Sequence, residues 1–370
     1  VVTLTQTAQI TAFAQETDKP AVNAQACVLY CVDDGKVYFS VNENKKMKPA
    51  STTKLMTSLI TLEYADSADK VVAFTKDMTA EGSSMYLKVG EKVKLSDLAA
   101  GMMMASGNDA ANAAAISIAG SAEKFSELMN NRAAVIGMKN THFVTPSGLD
   151  DENHYSTAYD MALLMSYALE NESFAKLTSQ KSVTVEFSEP QSKRTTYTNH
   201  NRLLSMYEYC TGGKTGYTMA AGRCLVSSAK KDGLTFVGVT LNDRNDWNDH
   251  IALYNYGFSK LACVECDDSD YYLEIPCVGG DDESIGVTGT KGKNVVVPFD
   301  KKSNVVRTAY ADNFLYAPVK DGDIVGRIEY TLDGKTLAST NLTAVEYSNT
   351  QNKNKSIWTK IKDFFTYGKE

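Results

Sequence analysis

The sequence predicts a mixed α/β (α+β) fold, an antiparallel sheet covered by a helical cluster, followed by a small all-β sandwich. Three observations carry this expectation. Apolar and polar residues alternate over Ala24 to Val32 and Lys36 to Val41 around Asp33-Asp-Gly35, the pattern of a β-hairpin. Helix-period apolar stretches then dominate from Thr52 to about Leu177, and strand-like segments return from Ser182 to Leu241. Strands at both ends of a segment with helices between them suit one antiparallel sheet covered by helices. After Cys263 short strands alternate with Gly279-Gly280, Lys291-Gly292, Asp321-Gly322 and Asp333-Gly334, the spacing of a sandwich.

At 370 residues the chain exceeds a single core, so two domains are expected, at 20–262 and 263–347. Residues 1–19 read as the end of a secretory signal or as a disordered lead-in, because Ala12-Phe-Ala14 supplies the small residues that signal peptidase accepts. Next comes Ser51-Thr-Thr-Lys54, placed after Pro49-Ala50 and before the apolar run Leu55 to Ile60, which reads as a buried helix beginning near the serine. Ser106-Gly-Asn108 falls between helical stretches at Leu95 to Ala105 and Asp109 to Ala119. Lys214-Thr-Gly216 follows Gly212-Gly213 and precedes a strand, Gly222 to Ser228, that pairs with Leu234 to Leu241 across Lys231-Asp-Gly233. A helix over Asp246 to Leu261 closes the domain.

Each short string has an ordinary structural meaning when taken alone. Ser51 and Lys54 could be an N-cap serine and a surface lysine, Ser106 to Asn108 an interhelix turn, and Lys214 to Gly216 a strand with a bulge. Their order points further. Residues three apart share one helix face, so the Lys54 amine can reach the Ser51 hydroxyl. A serine needs a neighbouring base to become a nucleophile, and lysine can be that base when burial and nearby cations lower its pKa. Helix-start N–H groups favour the negative charge that then develops at Ser51.

With these motifs the chain resembles the penicillin-recognising serine enzymes, whose ordered motifs are S-x-x-K, S-x-N and K-[TS]-G. Within them it is most similar to the low-molecular-mass D-alanyl-D-alanine carboxypeptidases. The likeness extends over Met47 to Met56, Ala105 to Ala111, Thr141 to Leu149, Tyr155 to Ala162, Asn199 to Leu204 and Gly212 to Thr218. It spans roughly residues 20 to 262 and continues more loosely to about 347, where Asn313 to Gly322 resembles the β-rich domain accompanying these enzymes. The resemblance implies a β-lactamase/transpeptidase-like catalytic domain that needs no cofactor, peptidoglycan stem peptides as substrate and β-lactams as inhibitors. It implies that Ser51 attacks the penultimate D-alanine and forms an acyl-enzyme, with Lys54 as base. Ser106 would pass a proton to the leaving amine, Asn108 would hold Lys54 and the substrate amide, and Lys214 would keep Lys54 neutral. Thr215 and Gly216 would border the substrate carboxylate, with Arg244 as a second contact, and the N–H groups of Ser51 and Tyr217 would form the oxyanion hole.

Two other functions share parts of this pattern. A β-lactamase of the glutamate-dependent kind needs an E-x-x-L-N string, and none occurs; Glu152 and Glu170 stand in other contexts. A non-catalytic penicillin sensor or wall-binding module would be expected to lose Ser51, Lys54 or Lys214, and all three are present.

Composition narrows the reading. A net charge of −7 with no basic cluster before the tail argues against nucleic-acid binding. His142, His154, His200 and His250 are scattered without metal-ligand spacing, so no metal is expected. Of the seven cysteines, Cys27 and Cys31 lie too far apart on one strand to bridge, and Cys263 and Cys266 read as thiols near the domain junction. At 348–370, Ile357, Trp358, Ile361, Phe364 and Phe365 recur at helical spacing with Lys353, Lys355, Lys360 and Lys362 opposite, the pattern of a helix lying on an anionic membrane surface. An exported protein at the outer face of the bacterial cytoplasmic membrane, or in the cell-wall space, is expected.

Overall fold

The structure, a computed structural model, describes residues 19–345. The expected signal remnant and the tail from 348 onward lie outside the described residues. The chain divides into two compact units, one ending at Leu261 and the other starting at Ala262.

In the first unit, β1 (Ala26–Cys31) and β2 (Lys36–Val41) form the expected hairpin. A 3₁₀ turn, Ala50–Thr53, leads into α1 (Lys54–Ser67). Ten residues of this helix are buried, including Leu55, Met56, Leu59 and Ile60, because roughly its first two and a half turns sit within the core, where Lys54, Thr57, Ser58 and Thr61 are buried with the apolar residues. A short hairpin of β3 (Val71–Ala73) and β4 (Lys92–Lys94) interrupts the stretch expected to be helical. The helical cluster continues with α2 (Leu95–Met104), α3 (Asn108–Ala119), α4 (Ala122–Ile136), α5 (Ala158–Ala168) and α6 (Glu172–Thr178). Ser121 caps α4 by accepting from the Lys124 N–H at 3.2 Å, and Gly137 ends that helix at φ +90°. Residues 138–156 contain no helix, as Pro146, Gly148 and the run of Asp150, Asp151 and Asn153 would dictate.

The second half of the unit supplies the hairpin β5 (Ser182–Glu186) with β6 (Arg194–Thr198), a single turn α7 (Leu203–Met206), three long strands and a closing helix. The strands are β7 (Cys210–Thr218), β8 (Gly222–Lys231) and β9 (Leu234–Leu241), and α8 covers Asp246–Lys260. Asp232 and Gly233, at φ +48° and +82°, make the two-residue turn between β8 and β9. The five strands run in the order β2-β1-β9-β8-β7, all antiparallel, so residues from the two ends of the unit meet at β1 and β9. This order leaves β7, with its Lys214-Thr-Gly216, as an edge strand.

The second unit is β-rich, as expected. Six strands form one sheet over a core that includes Ile275, Val287, Ile328 and Leu342. A two-stranded sheet, Leu261–Val264 with Val295–Pro298, contributes Val264 and Val295 to the same apolar cluster. None of the seven cysteines is in a disulfide. Burial pushes the Cys27, Cys31 and Cys224 thiols up to about 12, which makes them poor nucleophiles. Among the described residues no His, Cys, Asp and Glu cluster could hold a metal, and no helix is long and apolar enough to cross a membrane.

Candidate active site

Ser51 sits in the 3₁₀ turn and Lys54 opens α1, so their i, i+3 spacing brings the Lys54 Nζ to 2.9 Å from the Ser51 Oγ. The turn is strained, since Ala50 has φ +50°, a left-handed conformation that costs an alanine about 1 kcal/mol or more. Two close approaches explain how it is held. The α-carbon of Gly216 on β7 faces the turn so closely that a Cβ there would lie 3.0 Å from the Pro49 carbonyl and from the N–H groups of Ser51 and Thr52. At Gly148, φ +82°, a Cβ would lie 2.0 Å from the Ala50 carbonyl oxygen. Glycine at both positions lets two other backbone segments press on the Ser51 turn.

Lys54 is fully buried, and its amine touches the Asn108 Oδ1 at 2.6 Å and the Ser147 carbonyl at 2.7 Å besides Ser51. Burial holds its pKa well below the ordinary lysine value, and the charge of Lys214 lowers it further, while Asp109 opposes the shift. Lys214, also buried, is pushed down to about 7 by desolvation. Its Nζ donates to the Thr215 carbonyl at 2.7 Å and to the Ser106 Oγ at 3.1 Å. Ser106 lies at the turn between α2 and α3 with φ +58°, another strained non-glycine residue, beside the Lys214 amine.

The turn is braced by Asn108 and Asp109 at the start of α3. Asn108 donates from its Nδ2 to the Glu81 carbonyl at 2.6 Å, so both ends of its amide are engaged within the protein. Asp109 accepts from the N–H groups of Met85 and Leu87 and from the Ser84 hydroxyl, which fixes residues 84–87 of the loop that contributes Ser83 to the cleft.

Ser51, Ser106, Thr215, Gly216 and Tyr217 all line one cleft of about 440 Å³. Arg244 does not. It lines a separate cleft with Asn23, Gln25, Asn242 and Asn245, because the chain turns at Asn242, φ +53°, after β9 ends and carries the next residues away. The guanidinium in the cleft belongs to Arg223, which stands opposite Tyr217 in the β7–β8 register. Asp246 at the start of α8 orients it through bonds of 3.1 Å from Nε and 2.6 Å from Nη2. His200 also lines the cleft, held below its ordinary value by desolvation and by Lys214. The sequence pattern of Gly222 to Ser228 indicates pairing with the strand after it; its second pairing, with the Lys214 strand, is what brings Arg223 to the cleft. Ser147 meets Lys54 through its carbonyl, and a carbonyl has no residue-type signature.

A family model described as D-alanyl-D-alanine carboxypeptidase matches residues 13–245. The chain belongs to that family. A second model, the C-terminal domain of penicillin-binding protein 5, matches residues 267–348. D-alanyl-D-alanine carboxypeptidase DacF of Bacillus subtilis is 32% identical over 350 residues, 90% of this chain and 89% of that protein. DacC of Escherichia coli, with the same activity in its name, is 34% identical and shares 91% of this chain and 87% of its own length. Among solved structures, penicillin-binding protein 5 from Haemophilus influenzae superposes with a TM-score of 0.67 at 29% identity, over 90% of this chain and 99% of that one. Membership places the protein among serine peptidases, with a catalytic domain followed by a β domain.

Proposed function

We propose that this chain removes the terminal D-alanine from peptidoglycan stem pentapeptides through an acyl-enzyme on Ser51, and that β-lactams acylate the same serine. The observation that carries the reading is the set of three partners around the Lys54 amine. Two of them, the Asn108 Oδ1 and the Ser147 carbonyl, can only accept. A neutral amine has two N–H groups, which these acceptors use, so its lone pair is left facing the Ser51 hydroxyl. Lys54 can then take the hydroxyl proton as the serine attacks.

The remaining steps follow from the cleft. The edge of β7 lets an extended peptide add alongside Thr215 to Tyr217. The N–H groups of Ser51 and Tyr217 stabilise the oxyanion, a contribution on the order of 10² to 10³ in rate for each donor. The proton that Lys54 took from Ser51 is relayed through Ser106, which is bonded to Lys214, to the departing D-alanine amine. A water then attacks the Ser51 ester, giving one proton back to the Ser51 oxygen through Lys54 and freeing the shortened peptide as its carboxylic acid. Arg223, which lines the cleft, gives it a cationic end for the substrate's free carboxylate, and the Lys214 amine lies buried beside Ser106. Incubation with a stem pentapeptide should therefore release one D-alanine, whereas the same peptide with an amidated C-terminus should be turned over at least tenfold more slowly. Equal turnover of both, or rapid penicillin hydrolysis near about 10 s⁻¹, would contradict the proposal.

The same proposal puts the enzyme at the outer face of the bacterial cytoplasmic membrane or in the cell-wall space. It rests on the aromatic stripe and lysines of residues 348–370, whose apolar side chains are worth about 0.8 kcal/mol per buried CH₂. Full-length protein should sediment with anionic vesicles at low salt, and a form truncated after Tyr347 should stay in solution with its peptidase activity intact. Equal sedimentation of the two forms would rule the anchor out.

A further inference from the structure

His154 takes no part in the chemistry proposed above, yet it is buried where two segments of the site meet. Its Nδ1 accepts from two backbone N–H groups, Val144 at 3.1 Å and Thr145 at 3.2 Å. That nitrogen therefore carries no proton, so Nε2 does, and it donates to the Thr53 Oγ1 at 2.9 Å. Thr53 is the residue directly before Lys54. The ring thus ties the 144–149 loop to the nucleophile turn. Three further contacts lie along the same seam: the Thr57 hydroxyl donates to the Pro146 carbonyl at 2.6 Å, Gly148 abuts Ala50, and the Lys54 amine reaches the Ser147 carbonyl at 2.7 Å.

We propose that His154 is a positioning residue, a clamp that locks the 144–149 loop onto the nucleophile turn so that the Ser147 carbonyl holds one N–H of Lys54 and aims its lone pair at Ser51. The inference rests on the reading of Lys54 as the base. A neutral imidazole suits the task, because it offers one acceptor to the loop and one donor to Thr53. Protonation would turn Nδ1 into a donor facing two other donors, and burial pushes the His154 pKa down to about 4, which keeps the clamp closed at neutral pH. The charged and titratable groups near the ring are Asp151, Asp150, His142 and Lys48. Those near the Lys54 amine are Lys214 on β7 and Asp109 on α3.

Losing the clamp should loosen the loop and admit water to Lys54. Desolvation is the first cause of its lowered pKa, so hydration raises that pKa and moves the acid limb of the acylation rate to higher pH. The experiment measures acylation by a fluorescent penicillin against pH for the wild type, His154→Ala, His154→Gln and Thr53→Val. His154→Ala should shift the acid limb upward by about one pH unit, a loss of about tenfold on that limb. Thr53→Val should shift it the same way, and His154→Gln, which keeps an acceptor and a donor, should restore the wild-type midpoint. A merely structural role would lower the amplitude and leave the midpoint in place. An unmoved midpoint in His154→Ala, or a glutamine variant as impaired as the alanine one, overturns the proposal. If His154→Ala does not fold, Thr53→Val and His154→Gln decide by the same criteria. Hydrogen exchange separates this test from the proposed chemistry: the Val144 and Thr145 amides should be protected in the wild type and exposed in Thr53→Val. A wild type that is never acylated at Ser51 would overturn the carboxypeptidase reading, and with it the proposed role for His154, even if those amides proved protected.

Discussion

Ser51→Ala is expected to abolish covalent labelling by a fluorescent penicillin and to reduce peptide hydrolysis by on the order of 10⁶, the scale seen when the nucleophile of a hydrolase is removed. The effect should be this large because nothing else in the cleft can replace the hydroxyl. Ser106 lies 3.1 Å from the buried Lys214 amine, which donates to it, and Cys224, which also lines the cleft, has a thiol pushed up to about 12 by burial. Folding should survive. The hydroxyl makes one side-chain bond, to the Lys54 amine, and that amine keeps Asn108 and Ser147 as partners. Thermal stability should therefore stay within about 1 kcal/mol of the wild type. Mass spectrometry of the penicillin adduct checks the assignment, and an adduct that persists at full rate in Ser51→Ala would end it.

The parts of the site that were legible in the sequence are those whose chemistry depends on side-chain type at short spacing. Ser51 and Lys54 could be placed together because three residues make nearly one helical turn, and the apolar run after them announced a buried helix. The sheet was legible through its alternating strands and the turn at Asp232-Gly233. What escaped depends on long-range geometry. Arg223 lies near the start of β8 and Arg244 just beyond the end of β9, and only the β7–β8 register puts Arg223 opposite Tyr217 while the turn at Asn242 takes Arg244 elsewhere. The pair β3 and β4 consists of three-residue strands with 18 residues between them, too short for a period to register. The backbone acceptor at Ser147 and the ring of His154 lie 93 and 101 residues from their partners Lys54 and Thr53, so no local pattern joins them.

Lys54→Ala should slow acylation by roughly 10² to 10⁴, the usual worth of a general base, and Lys54→Arg should be no better. Arginine keeps a positive charge but holds its proton far above neutral pH, so it cannot accept one from Ser51. The wild-type rate should rise with pH as Lys54 deprotonates, because only the neutral amine has a lone pair. Burial and the neighbouring charge both lower its pKa, and they extend that active form toward neutrality. The neighbouring contribution can be isolated. Lys214→Gln removes a like charge beside Lys54, so the Lys54 pKa should rise and the acid limb of the rate should move to higher pH. Loss of the hydrogen bond to Ser106 should lower the plateau as well, which separates the two duties of Lys214: the midpoint reports its field, and the plateau reports its hold on Ser106. An acid limb that moves to lower pH in Lys214→Gln, or a Lys54→Arg variant that acylates as fast as the wild type, would show that Lys54 is not the base.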